Sequence, residues 1–544
     1  MIAEFERKFR AVLEKKVIGE KKVLYTLLVR REDFIDMVKF ILNMENTRLF
    51  TMVGMDERHT EEAFSVTYWF ADIKAREILG IRLYVPEDEP EFPSVAGFHK
   101  GALWFEREVQ DLLGLRARGI PDPRRLILPD DWPENAYPLR EDFEYYLSPE
   151  GERRPSYRNP QDGSGVHSLG PYHVALDEPA HFRLFVKGEK IVDVDYRGFY
   201  SHRGIEKLAR GRMNYNQVMF LAERICGICG FCHSAAYAQA LEEAGKIEIP
   251  DRARYIRTIL LEIERIHSQL LAVGIAAHLA GFDTGFMRTW ELREKVMFLA
   301  ERLTGNRKTY GMIIAGGVRR DILDYRRELI EKTIKELRKG LKELSEFLLS
   351  SGTFKKRLRG VGVLSKSTAR ELDVCGPVAR GSGIDYDVRR DFPYAAYDEL
   401  PFEVPVYSEG DALARTMVRL DEVRESIEII DHALDSLPSG SLVAEFDEIP
   451  AGREGISAVE APRGENVHYV MTDDRNMIFR WRIKAATYNN LQAAPDMLKG
   501  YTIADAPIII ATIDPCYSCT ERVQVVDVES GKVKTISLGG GTCP

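Results

Sequence analysis

Arg224-Ile225-Cys226-Gly227-Ile228-Cys229-Gly230-Phe231-Cys232-His233, answered near the C-terminus by Asp514-Pro515-Cys516-Tyr517-Ser518-Cys519, is the stretch around which the chain is organised. Five of the seven cysteines lie in these two segments, and only Cys375 falls between them. A Cys-x-x-Cys pair presents two thiolates to one ion from a tight turn. Two such pairs supply four soft donors, suited to Zn, Ni, Fe or Cu and not to Mg or Ca. The spacing leaves the metal open: structural zinc, a redox metal and unligated thiols all remain. Cys226, Cys229, Cys232 and His233 alone have the makings of a local zinc knuckle.

Working outward, 544 residues exceed what one core holds, which predicts two domains or more. Lys and Arg total 76 against 85 Asp and Glu, a net charge of −9, so the composition gives no reason to expect a nucleic-acid partner. Few cysteines, mostly in paired spacing, fit a reducing compartment. Met1-Ile2-Ala3-Glu4-Phe5-Glu6-Arg7-Lys8 is charged from the start and no signal-peptide core follows, which predicts a cytoplasmic protein. No apolar run has the length of a membrane-spanning helix, and Ala506-Pro507-Ile508-Ile509-Ile510-Ala511 reads as a short buried strand. Membrane association must then come through partners.

The periodicities predict an α+β fold in two parts. Residues 1–147 open with an amphipathic helix and continue through alternating segments at 64–70 and 78–85. In the helix pattern of 104–114, Glu and Arg read as a solvated charged face. Residues 148–169, rich in Pro, Gly, Ser, Arg and Asn, read as a linker. Beyond 170, strands at 182–186 and 191–196 are joined by Lys187-Gly188-Glu189-Lys190, a small β-hairpin ahead of the first cysteine motif. Helical patterns over 253–279, 290–303, 319–349 and 411–437 predict a mainly helical bundle. Opposite charges along 326–339 predict exposed pairs, and Gly381 and Gly383 read as turn glycines. There is no internal repeat.

Glu223-Arg224-Ile225-Cys226-Gly227-Ile228-Cys229 with His233, and Asp514-Pro515-Cys516-x-x-Cys519-Thr520, resemble the two metal-binding motifs of [NiFe] hydrogenase large subunits. The helical region between them, with Gly376-Pro377-Val378-Ala379-Arg380-Gly381-Ser382-Gly383, Asp387, Arg389, Pro393 and Tyr394, is similar to the domain those subunits share with the quinone-site subunit of complex I. The resemblance covers residues 170–522. At the N-terminus, 104–114, 121–132 and 138–143 resemble the small hydrophilic subunit of complex I, which implies a scaffold role. The complex I relative lacks the four cysteines that this chain retains. The resemblance is therefore strongest to membrane-associated, energy-converting hydrogenases of the formate hydrogenlyase type.

That resemblance implies the site. Cys226 and Cys516 would be terminal nickel ligands, and Cys229 and Cys519 would bridge nickel to an iron carrying CO and cyanide. Hydrogen would be split or formed heterolytically, with the proton on Cys516 and Glu178 relaying it to solvent. Arg463, in Glu460-Ala461-Pro462-Arg463-Gly464-Glu465, would lie over the centre with Asp514 as its partner. Glu206 would stand near a magnesium ion, and His233 would support the ligands by a hydrogen bond.

Each residue also has a plain reading. Glu178 caps a turn before Pro179, Glu206 is a surface helix residue, and Asp514 is a turn residue before Pro515. Cys232 is a small buried apolar residue, and Cys375 and Cys543 are packing or dispensable thiols.

In this family an extension, here 523–544, is removed by a maturation protease after nickel insertion, with the cut after Arg522. The plain reading of 523–528 is a C-terminal strand. The implied partners are a small iron–sulfur subunit, since this chain has no ligands for further clusters, and antiporter-like membrane subunits. A ferredoxin-like electron carrier subunit completes the set, with formate dehydrogenase, carbon monoxide dehydrogenase or ferredoxin upstream. The expected location is cytoplasmic, peripheral on the inner face of the cell membrane. Two alternatives stand beside this reading: a complex I-like quinone or sulfur reductase subunit without nickel, and a scaffold with structural zinc.

Overall fold

The computed structural model describes residues 2–9, 14–18, 22–144, 151, 157–160, 163–173, 175–176, 178–200, 202–474, 476–519, 525–526 and 533–534. The chain forms two compact units, one of Met1–Gly188, Asp193–Leu208 and Cys516–Pro544, the other of Glu189–Val192 and Ala209–Pro515. The expected α+β class is observed, with the sheet-rich part first and the long helices after it.

In the first unit α1 (Ile2–Phe9) buries Ile2 and Phe5, and Phe5, Phe9 and Phe40 form a cluster of rings. Strands β1 (Glu14–Ile18) and β2 (Lys22–Leu28) precede α2 (Arg31–Leu42), whose Phe34, Met37, Val38 and Ile41 form the buried stripe of an amphipathic helix. β3 (Thr47–Glu57), β4 (Ala63–Asp72) and β5 (Glu77–Pro86) complete a sheet of order β1-β2-β5-β4-β3, in which only β2 and β5 pair in parallel. β4 is buried along its whole length, so it reads as a continuous run and not an alternation. Gly80 faces Trp69 across β4 and β5, and a Cβ there would come within 2.6 Å of the indole, so only glycine leaves room for that ring.

α3 (Leu103–Leu113) overturns the expected solvated face. Glu106, Arg107, Glu108 and Asp111 are all buried. Glu106 accepts hydrogen bonds from Tyr68 Oη at 2.9 Å, Val95 N at 2.6 Å and Ser94 Oγ at 2.5 Å. Asp111 Oδ2 accepts from the backbone N–H groups of Leu126, Ile127 and Leu128 at 2.8, 2.7 and 3.2 Å. These charges are spent on unpaired backbone of irregular loops, a demand that helical periodicity does not register.

Within the expected linker, Gly165–Leu169 form β6, paired antiparallel with β7 (His181–Lys187), while β8 (Lys190–Arg197) lies on the other side of β7. β6 shows no hydrophobic alternation because it is an exposed edge strand, held by backbone bonds and burying only Leu169. The helix α4 (Ile205–Ala209) follows.

The second unit is built around α5 (Gly230–Gly245), α6 (Asp251–Leu279), α7 (Asp283–Thr304), α8 (Asp324–Ser350), α9 (Gly376–Gly381) and α10 (Ala412–Asp435). α6 is central: it packs against α7 and α10 and is buried over most of its circumference. α8 keeps a wet face, with Arg327 and Glu331 paired at 2.9 Å as the charge spacing predicts. It starts at Asp324 and not near 319, because Gly317–Val318 pairs as a strand. Gly381 lies within α9 against Arg415, and Gly383, at φ +78°, is the turn glycine.

An antiparallel sheet of β9 (Glu454–Ala461), β10 (Gly464–Thr472) and β11 (Ile478–Lys484) packs on α5. Residues 506–511, expected as a short buried strand at most, lie in the helix α11 (Ala506–Ile513). An apolar run this short has no period to distinguish helix from strand. Pro507 in its first turn and a Thr502–Asp505 capping box just upstream start the helix. Among the described residues no helix is long and apolar enough to cross a membrane.

Candidate metal centre

Cys226 and Cys229 stand on the turn that runs into α5, with Cys229 as the N-cap residue. Both thiols are buried and joined in no disulfide, with their sulfurs 3.2 Å apart. Cys226 Sγ accepts from the N–H groups of Ile228 at 3.3 Å and Cys229 at 3.2 Å, bonds that favour its anionic form.

The turn is pinned from several sides. Tyr310 Oη donates to Cys226 O at 2.7 Å, and His267 Nε2 lies 3.0 Å from Ile228 O. Gly230 passes so close to Glu223 O and the Tyr310 ring that a Cβ would come within 2.4 Å of each. The free N–H groups of the first turn of α5 are satisfied from another helix: Glu264 accepts from Phe231 N and Cys232 N, both at 2.8 Å. Burial pushes the Glu264 carboxyl up to about 7, and burial together with that carboxylate pushes the Cys232 thiol well up.

His233 lies on α5, fully buried, with Nδ1 3.1 Å from His468 Nε2. Cys375 is buried and its N–H donates to Asn490 Oδ1 at 2.8 Å.

Arg463 occupies the two-residue turn between β9 and β10. Its Nε donates to Asp514 O at 2.7 Å and its Nη2 to Asp514 Oδ1 at 2.8 Å. The expected partnership is therefore present, made with both backbone and side chain. Asp514 ends α11 in the left-handed region, at φ +57°, which turns its carbonyl and carboxylate to the same guanidinium. Arg419 Nη2 adds bonds to Thr512 O and Ile513 O at 3.3 Å each, so two guanidinium groups gather at the negative end of that helix.

Four successive carbonyl oxygens hold the Arg463 turn. Arg265 donates to Glu460 O at 2.6 Å and Ala461 O at 3.3 Å, Gln269 to Pro462 O at 2.8 Å, and Asn490 to Arg463 O at 3.1 Å. Beneath them Arg265, Arg380, Arg389, Glu262, Asp387, Glu422 and Glu460 form a network with no solvent exposure. Sequence reading missed Arg265, Gln269, Glu264, Arg419 and Asn490. One signal was available: 262–269 puts charged and amide residues on every side of a helix that is otherwise apolar, which exposed residues would not do.

In the first unit, Glu178 meets the second cysteine motif. Its Oε2 accepts from Ser518 N at 2.6 Å, and its Oε1 bonds the Ser518 hydroxyl. Cys516 is buried. The side chain of Cys519 lies outside the described residues, as do Arg522, Cys543 and most of 523–544, of which Val525–Val526 and Val533–Lys534 pair antiparallel. Glu206 is half-buried on α4.

Among the described residues, no group of three or more His, Cys, Asp and Glu side chains is placed to hold a metal ion. Cys226 and Cys229 fit a soft metal by their chemistry: buried thiols, in no disulfide, with two N–H groups turned to Cys226 Sγ.

Comparison with known proteins bears on the same segments. Residues 203–283 match the family described as "Nickel-dependent hydrogenase". Residues 280–451 and 442–522 match "Respiratory-chain NADH dehydrogenase, 49 Kd subunit", and residues 27–147 match its "30 Kd subunit". Hydrogenase-4 component G of Escherichia coli is 44% identical over 94% of this chain and 90% of its own length. Formate hydrogenlyase subunit 5 of the same organism is 44% identical over 94% and 91%. Among solved structures, a chain of the membrane-bound sulfane sulfur reductase, an archaeal respiratory membrane complex, superposes with a TM-score of 0.63 at 34% identity. That match covers 67% of this chain and all of the other.

Proposed function

The chain belongs to the family of large subunits of energy-converting hydrogenases, fused to a domain of the 30-kDa complex I type, and from that membership we propose that it interconverts protons, electrons and H2. It does so as the catalytic subunit of a membrane-associated complex of the formate hydrogenlyase type. The observation that carries this reading is the buried Cys226–Cys229 pair, with two backbone N–H groups aimed at Cys226 Sγ. Cys226, Cys229, Cys516 and Cys519 would hold a nickel–iron centre with CO and cyanide on the iron, and when bound that centre supplies a redox site for heterolytic cleavage of H2.

The chain's own residues do the rest. Cys516 Sγ takes or gives the proton, and burial keeps water from it. Glu178, half-buried and bonded to Ser518 of the same motif, passes the proton between that motif and solvent. Asp514 orients Arg463 through two hydrogen bonds, and the guanidinium so held would donate to the centre's cyanide groups. Electrons leave through an iron–sulfur partner, because this chain has no ligands for a cluster of its own. Membrane and ferredoxin-like subunits, an upstream donor and a maturation protease acting after Arg522 complete the proposal.

The competing reading is a quinone or sulfur reductase subunit without nickel. It draws on the 49-kDa match and the sulfane sulfur reductase superposition, and the retained cysteines oppose it.

Metal analysis and infrared spectroscopy of the purified, matured complex decide. Nickel and iron with CO and cyanide bands are expected. Zinc alone, or no metal with activity towards a quinone or sulfur, would overturn the proposal.

A further inference from the structure

Trp481, His468 and His233 form a line of ring nitrogens inside the second unit, and all three side chains are fully buried. The indole Nε1 of Trp481 lies 3.1 Å from His468 Nδ1, and His468 Nε2 lies 3.1 Å from His233 Nδ1. Tyr237 packs edge-on against the indole and donates from its own hydroxyl to Tyr215 O at 3.0 Å, which holds the start of the line in place.

A ring nitrogen that accepts a hydrogen bond is bare, so an imidazole that accepts one is neutral. A neutral imidazole has one nitrogen with a hydrogen and one bare. Indole N–H only donates, so His468 must leave bare the nitrogen that faces Trp481 and carry its hydrogen on the other. That hydrogen points at His233 Nδ1, which must therefore be bare. The one hydrogen of His233 is left on Nε2.

A half-turn of the His468 ring exchanges its nitrogens without changing the order of accepting and then donating. The amide nitrogen of Asn466 lies 3.3 Å from His233 Nδ1 and 3.4 Å from its Nε2, so it does not choose between them, and the order is set by the indole alone.

We infer that Trp481, acting through His468, locks His233 as the Nε2–H tautomer and so makes it an obligate hydrogen-bond donor beside the first cysteine motif. A metal needs a bare ring nitrogen, and in this arrangement the only bare one already accepts from His468. His233 is thereby removed as a ligand, which closes the local zinc knuckle that the spacing alone left open. Cys226 and Arg463 are the charges that act on the His233 ring besides burial. That the Nε2–H serves a thiolate of the metal centre rests on the proposed function; the tautomer does not. Trp481 and His468 are positioning residues, since they act only through His233.

Magic-angle-spinning NMR of the assembled complex with 15N-histidine tests this, with the His233 signals identified by their loss in His233→Asn. Expected are a hydrogen on Nε2 in the wild type and a mixture of both tautomers in Trp481→Phe. In His468→Gln, whose amide accepts from indole and donates to His233, the Nε2–H form should be retained. His468→Leu, which keeps an apolar core but offers no donor, should also give the mixture, so the test survives if Trp481→Phe does not assemble. A hydrogen on Nδ1 in the wild type, or a single unchanged tautomer in both Trp481→Phe and His468→Leu, overturns the lock.

In the same samples the CO and cyanide bands should shift in Trp481→Phe and return in His468→Gln. A wild type with the Nε2–H tautomer but without such bands supports the lock and overturns the metal reading instead.

Discussion

Glu106 in the first unit and Glu262 in the second are buried by opposite means. In the first, Glu106 and Asp111 on α3 face mainly backbone N–H groups and hydroxyls. Burial pushes Glu106 up to about 7 and raises Asp111 despite those hydrogen bonds. In the second, burial is again the largest influence and opposes the charge of Glu262, yet Arg265 and Arg389, with hydrogen bonds from Ser426 and Tyr397, hold it below its ordinary value. Glu264, two residues further on the same helix and bonded to backbone N–H groups, behaves like Glu106 and is pushed to about 7. Peptide dipoles satisfy lone pairs without cancelling a charge. A guanidinium does both.

The sharpest way to break this contrast is to take away one carboxylate from between two arginines. Glu262→Leu leaves Arg265 and Arg389 short of a buried counter-charge and should cost about 3–5 kcal/mol in denaturant unfolding. A cost near that of an ordinary surface change would show that the network is not held by its charges.

Glu106→Gln tests the other side through pH. The folded-state pKa lies above the usual 4.5, so the folded form holds a proton that the unfolded form has lost. Wild-type stability from this group is full below about 4.5 and falls as pH rises to about 7, by at most about 3 kcal/mol. The variant should lack that decline, read as the variant-minus-wild-type difference in unfolding free energy across the window. An identical pH profile would mean that Glu106 is ionised in the folded state.

Asp111→Ala strips the acceptor from three buried N–H groups and should cost about 1–3 kcal/mol, again by denaturant. The smallest effect belongs to the exposed control. Arg327→Ala on α8 removes an i,i+4 pair in water and should change stability by less than about 0.5 kcal/mol, with loss of even that difference in high salt.

Legibility in the sequence followed locality. The long helices were readable because their apolar stripes repeat within a few residues, as in Phe34, Met37, Val38 and Ile41 on α2. β4, buried along its whole length, was readable only as a β-branched and aromatic apolar run. The run at 506–511 was misread because so short an apolar run contains no period at all. The charged face of α3 was misread because charge predicts solvent only where no nearby backbone is short of partners.

Among the site residues, the partnership of Arg463 with Asp514 was expected from resemblance. The grip of Arg265, Gln269 and Asn490 on the Arg463 turn was not, because those three come from separate stretches of sequence and act on backbone atoms that carry no residue identity.

By itself, then, the sequence determined the donors and their spacing: two Cys-x-x-Cys pairs, the α+β order of elements, and a family whose motifs are contiguous strings. Only the tertiary structure decided the state in which those donors are held. Whether Glu262 is ionised, whether Glu264 is protonated near neutral pH, and which nitrogen of His233 carries its hydrogen depend on desolvation and on partners contributed by other elements. These quantities are set by distances across the fold, and a linear pattern does not contain them.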